Sequence, residues 1–195
     1  INNLFRNCNK VINISGTTFG KGITSADNWL PPNLTTTNNI TLKNDFVKFT
    51  NANKLTNATD FKVTSNVTTL KSLFSGCSKL KNINFTDDSD FNNTTSTKEM
   101  FMDCSSLNVV RFTISDKCTI SSRMFYNCPL SNMNGSYIGG ALIEVADFLP
   151  QVNFSADNIT VKTSLKIFKG SKVTSIRNIT IDNSVKDISS WFEGC

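Results

Sequence analysis

Apolar residues recur along this chain in a fixed rhythm. An aromatic residue is followed three positions later by cysteine in Phe5–Cys8, Phe74–Cys77, Phe101–Cys104, Phe125–Cys128 and Phe192–Cys195. Leu80, Ile83 and Phe85 follow Phe74 by 6, 9 and 11 positions, and Leu107, Val110 and Phe112 follow Phe101 by the same steps. Val11 and Ile14 keep the first two steps after Phe5. Between Lys81 and Thr86 apolar and polar residues alternate, with Ile83 and Phe85 on one side and Asn82 and Asn84 on the other, which predicts a half-buried strand. The stretch Thr69–Gly76 reads as a short helical or 3-10 turn closed by glycine. A unit of this size cannot bury its apolar side alone, so the pattern predicts coils stacked on one another.

Weaker copies fill the intervals. Phe49 is followed by Ala52 in the cysteine place, then by Leu55, Ala58 and Phe61, while Phe168 is followed by Ser171. Trp29 and Phe148 occupy the two remaining gaps, so the anchors are Phe5, Trp29, Phe49, Phe74, Phe101, Phe125, Phe148, Phe168 and Phe192. The whole of residues 1–195 reads as a single repeat array. A longer period lies above the short one: 119 residues separate Trp29 from Phe148, and again Phe49 from Phe168. Asn39-Ile40-Thr41-Leu42 matches Asn158-Ile159-Thr160-Val161 at that offset, so a five-unit block of about 119 residues has been copied. The chain opens and closes on a repeat pentad, and is expected to be a segment of a longer protein.

The unit Met100-Phe101-Met102-Asp103-Cys104-Ser105-Ser106-Leu107, with its close relative Leu73 to Leu80, resembles the BspA-like subgroup of leucine-rich repeats. The likeness is to the Met-Phe-x-x-Cys variant noted in mycoplasma surface lipoproteins. Where that pattern usually has Leu-Ser after the strand, this chain has Phe85-Thr86 and Phe112-Thr113. The resemblance implies an α/β solenoid, a leucine-rich-repeat-like stack of parallel β-strands with short helical or 3-10 turns on the opposite face. It also implies an adhesin, a host- or matrix-binding protein, or a component of a phage tail fibre.

Composition narrows the function further. The hydrophobic fraction of 38% suits an elongated stack with much surface, and fifteen Phe argue against disorder. The net charge of +5 comes from lysines spaced singly, without a basic run, so nucleic acid is not an expected partner. No apolar run reaches membrane-spanning length, so no direct membrane insertion is expected of this segment. There is no histidine, which removes Ser–His and Cys–His pairs. Glu99, Glu144 and Glu193 lie far apart in sequence, and no catalytic residue, cofactor or metal is expected. Asp87-Asp88-Ser89-Asp90 lacks the glycine and distal glutamate of a calcium loop and reads as a solvated turn.

Five of the six cysteines share one place in the repeat, which predicts a column of buried free thiols. Ala52 and Ser171 at that place suggest that size rather than thiol chemistry is required. Cys118 lies off the column. One step after the second apolar anchor stand Ser15, Thr59, Asn84, Arg111, Asn134 and Arg177. Stacking lines these up, and they are the candidate binding row on the sheet face. The expected role is a non-catalytic, extracellular or cell-surface adhesion module for a protein or glycan on another cell or particle, flanked by further repeats of its own chain. The alternative is a structural or receptor-binding segment of a virion.

Overall fold

The computed structural model describes residues 1–195, every one of them coiled into a single parallel β-solenoid. Each coil has three sides: a turn carrying the aromatic anchor, a short strand, and a second strand after a corner. In the first coils the two strands run on as one: β1 (Asn13–Phe19), β2 (Thr36–Leu42), β3 (Asn57–Val63) and β4 (Asn82–Phe85) form one parallel sheet in that order. Further along, the strand pieces separate. β5 (Thr113–Ile114), β6 (Tyr137–Ile138), β8 (Thr160–Val161) and β10 (Thr180–Ile181) line the side after the corner. β7 (Phe154–Ser155) and β9 (Val173–Ser175) pair on the side before it. Bridges linking Val109, Asn132 and Ser155 continue that side back toward the fifth coil.

The expected helical turns are absent, and the hydrogen bonding explains why. Leu73, Ser75 and Cys77 donate their N–H groups to the carbonyls of Leu70, Ser72 and Phe74, three residues back. The alternate N–H groups, those of Leu70, Ser72, Phe74 and Gly76, instead reach the carbonyls of Ser96, Lys98, Met100 and Met102 in the next coil. A helix would turn every amide inward along its own axis. Here every second amide joins coil to coil, which requires left-handed backbone at Ser72 (φ 56°) and Gly76 (φ 75°). The side is therefore a run of i to i+3 turns in which Leu70–Leu73 and Phe74–Cys77 have a positive φ in the third position and Ser72–Ser75, between them, does not. The following coils repeat it, with Glu99, Asp103, Arg123 and Asn127 in the left-handed places.

A second left-handed column makes the corner. Asn39, Asp60 and Asn158 have φ of 53°, 54° and 54°, and each separates two inward residues three positions apart: Thr37 from Ile40, Ala58 from Phe61, Ala156 from Ile159. Asn and Asp tolerate this region better than other side chains. The coils of Phe74 and Phe101 lack the extra residue, since Ile83 is followed by Phe85 and Val110 by Phe112 at a step of two. Opposite β4, Thr59 and Asp60 of β3 consequently share one partner position, which is a bulge.

Forty-four buried apolar residues form one continuous core. Its spine is aromatic: ring centroids are 5.6 Å apart between Phe49 and Phe74, 5.9 Å between Phe74 and Phe101, and 5.7 Å between Phe101 and Phe125. The last two pairs are stacked almost parallel, at 2° and 7°. The anchors Trp29 and Phe148 are buried as well, whereas Phe192 is 46% exposed beside a buried Trp191.

All six cysteines are free. Cys77, Cys104 and Cys128 are buried in the column, Cys8 is half-buried and Cys195 exposed. Four of the five thiols in the column do more than fill space. Cys77, Cys104, Cys128 and Cys195 donate to the carbonyls of Phe49, Phe74, Phe101 and Phe168, at 3.1, 3.1, 2.7 and 2.9 Å. At these four coils the thiol ties the coil to the anchor before it, and the size-only reading is corrected to that extent. Burial pushes the Cys77 thiol up to about 12, and the neighbouring Cys128 thiol together with burial raises Cys104. Cys118 is buried elsewhere, its sulfur near the hydroxyls of Ser121 and Thr97 at 3.6 and 3.9 Å.

Candidate functional site

The six residues of the candidate row fall on six coils, skipping those of Trp29 and Phe148; Ser15, Thr59 and Asn84 lie within β1, β3 and β4, and Arg111, Asn134 and Arg177 lie outside the strands. Ser15, Thr59, Asn134 and Arg177 each immediately precede a left-handed corner residue: Gly16, Asp60, Gly135 and Asn178. They therefore mark the ridge where two sides of the solenoid meet. Asn84 and Arg111 stand at the matching place in the two coils that lack the corner residue. Ser15 and Thr59 are joined in register through Asn38.

Side chains along this ridge bind one another. The Asn38 amide donates to Thr59 Oγ1 and to Asp60 Oδ2, both at 2.8 Å. Asn84 donates to Asp60 Oδ1 at 3.1 Å and accepts the Asp60 N–H at 3.2 Å. Arg111 Nε reaches the Gly135 carbonyl at 3.1 Å, leaving its terminal nitrogens free. Asn134 Oδ1 accepts the Asp157 N–H at 2.8 Å and the Ser155 hydroxyl at 3.3 Å, and Ser175 binds Asp157 at 3.0 Å. At Arg177 the backbone carbonyl accepts the Asn158 N–H at 2.8 Å. Ser15, Asn84, Arg111 and Arg177 are exposed, while Thr59 and Asn134 are half-buried. Cross-linking of this kind holds polar groups in place before any partner arrives.

Asn38, Asp60 and Asp157 complete the row and were missed. Two belong to the coils of Trp29 and Phe148, whose anchors match the repeat least well. The signal that finds them is the longer period, since Asn38 and Asp157 are themselves 119 residues apart.

Beside the ridge, Asp116 accepts the Tyr137 hydroxyl at 2.8 Å and the Lys162 ammonium at 3.0 Å. Burial works against the Asp116 carboxylate, but these two donors outweigh it and hold its pKa below the usual range. The Lys162 ammonium also sits 5.4 Å from the Tyr137 ring centroid. The Asp87–Asp90 turn uses its groups structurally. Ser89 donates to Phe61 O, Asp88 pairs with Lys62, and Asp90 caps the Asn92 N–H at 2.9 Å. No three His, Cys, Asp or Glu side chains converge as a metal-binding set. No helix of the structure is long and apolar enough to cross a membrane.

The profile of the BspA-type leucine-rich repeat region matches this chain in 6 copies, over residues 1–107, 53–147 and 74–195. The chain belongs to the BspA-type leucine-rich repeat family. No curated protein and no solved structure gives a significant match. Within the BspA-type repeat, the conserved-looking places of this chain are structural: the anchor ring stacks, the thiol grips the preceding carbonyl, and the left-handed residues free alternate amides for the next coil. The ridge residues differ from coil to coil, being Ser15, Thr59, Asn84, Arg111, Asn134 and Arg177.

Proposed function

We propose that this chain is a non-catalytic binding module of the cell-surface adhesion type, which engages a protein or glycan along its polar ridge. What carries the reading is the ridge itself. Amide, hydroxyl, carboxylate and guanidinium groups recur at one place per coil and are already fixed by each other, as Asn38, Thr59, Asp60 and Asn84 are. Such a surface is shallow and extended, with no enclosed pocket for a small substrate, and suits a macromolecular partner. Repeat families of this kind act in general by binding rather than catalysis, in keeping with the missing histidine.

The test uses arrays of purified extracellular-matrix proteins and of glycans, probed with the wild-type chain and with a variant carrying Ser15→Ala, Thr59→Ala, Asn134→Ala and Arg177→Ala. The expected result is a partner bound by the wild type and weakened at least tenfold in the variant, with an unchanged circular-dichroism spectrum and a melt that remains cooperative. A partner bound equally by both proteins removes the ridge from consideration.

A further inference from the structure

The parallel ladder that runs through the solenoid is interrupted once on both strand sides, between the coils of Phe74 and Phe101. The first sheet ends at β4, the next begins at β5, and no backbone hydrogen bond crosses from Lys81–Thr86 to Asn108–Ile114. On the turn side the same two coils are fully joined, by five backbone bonds, from Leu70, Ser72, Phe74, Gly76 and Thr95, and by the Phe74–Phe101 stack. The gap is therefore a slot closed at the turn and open along the strands.

Both walls of the slot are strand edges with unused hydrogen bonds. The N–H and C=O of Val109 and of Arg111 have no partner, because Val110, between them, turns its N–H the other way to Asn132. Opposite, Asn82 and Thr86 donate to Thr56 and Phe61 of the preceding coil, so strand alternation turns Ile83 and Phe85 toward the gap. Two cavities of about 680 and 720 Å³ open on the slot and share Ile83 and Asn84. These are also the two coils without a left-handed corner residue.

We propose that this slot receives an extended peptide segment of a partner protein, which adds itself as a strand and completes the interrupted ladder. Unsatisfied backbone groups on two facing edges call for a ligand with backbone amides and carbonyls at strand spacing, which a peptide has and a sugar chain does not. Side chains set a preference. Val109, 56% exposed, and Phe85 offer apolar contacts along the slot. Asp87 and Asp90 line one cavity with no cation within salt-bridge distance, so the matching peptide carries a lysine or arginine at that end. The inference rests on the binding-module reading and narrows it to a partner class and a place.

The test uses acetylated, amidated hexapeptides of alternating Thr and Val with one Lys walked through each position, and the intact chain. Amide hydrogen exchange at Val109 and Arg111 is expected to be fast in the free protein, in contrast to Ala58 and Phe61 in β3. A Lys-bearing hexapeptide slows it at least tenfold. Methylating the peptide nitrogens abolishes that protection, and Asp87→Asn with Asp90→Asn weakens the Lys-bearing peptides three- to tenfold while sparing a Lys-free one. Slow exchange at Val109 and Arg111 in the free protein, absence of protection by every hexapeptide, or equal binding of the methylated peptide overturns the slot. The ridge variant on the arrays reads the broader function separately, because none of its four residues bears an unpaired backbone group of the slot.

Discussion

Replacing Phe101 by Ala tests the load that the aromatic spine carries at the slot. Its ring is wholly buried and lies between Phe74 and Phe125 at 5.9 and 5.7 Å, almost parallel to both. Truncating a buried Phe costs about 3–5 kcal/mol, and offset-stacked pairs contribute about 0.5–1.5 kcal/mol each beyond their buried area. With both neighbours lost together, about 4–5 kcal/mol is expected. A solenoid's stability is a sum of coil terms and nearest-neighbour couplings. Between the coils of Phe74 and Phe101 the strand-side ladder is missing, so the ring stack, five turn-side backbone bonds and the Cys104 thiol bond to Phe74 supply most of the coupling. The loss should therefore do more than lower stability: it should let the two halves unfold apart. The chain contains two tryptophans, Trp29 and Trp191, one in each half and both buried. Urea unfolding is followed by fluorescence in Trp29→Phe and Trp191→Phe backgrounds, with and without Phe101→Ala. The two probes are expected to report one transition with Phe101 present and two separated midpoints without it. A loss below about 1 kcal/mol, or midpoints that still coincide, refutes the argument that stacked rings join the halves.

Gly76→Ala should destabilise the chain by more than about 1 kcal/mol in the same assay. Its φ of 75° is left-handed, and an added Cβ would displace the Asn51 side-chain amide; a neutral result would mean that the turn relaxes freely. Stability should also follow pH on two limbs. Burial lowers Lys48 to about 8 from 10.5, so the folded chain holds fewer protons between those values. Stability then rises with pH across that window, by at most about 3 kcal/mol, and Lys48→Met should raise stability at pH 7 and flatten the limb. Burial raises Cys77 from 9.0 to about 12, so its contribution is complete below 9 and is lost as pH climbs toward 12. That loss is up to about 4 kcal/mol, and Cys77→Ala should remove it. Chemical denaturation at intervals from pH 7 to 11 checks both, and a fall between pH 7 and 9 contradicts the Lys48 limb.

How far the sequence reached is clearest at particular positions. Phe74, Cys77 and Leu80 declare their burial by spacing alone, because a stacked coil must return each inward side chain to the same place. The corner was written there too, in the step of three from Ala58 to Phe61 against the step of two from Ile83 to Phe85. The turn was misread because a helical turn and a run of successive tight turns both return a side chain after three or four residues. What separates them is where Ser72 and Gly76 send their amides, and those go to the next coil, some 26 residues away. The ridge was half legible: the copies with strong anchors pointed to it, and those of Trp29 and Phe148 hid Asn38 and Asp157. The slot could come only from the tertiary structure. A missing ladder is a relation between Ile83 and Arg111, and a pattern along one chain records which side chains face inward, not which backbone groups find each other across a gap.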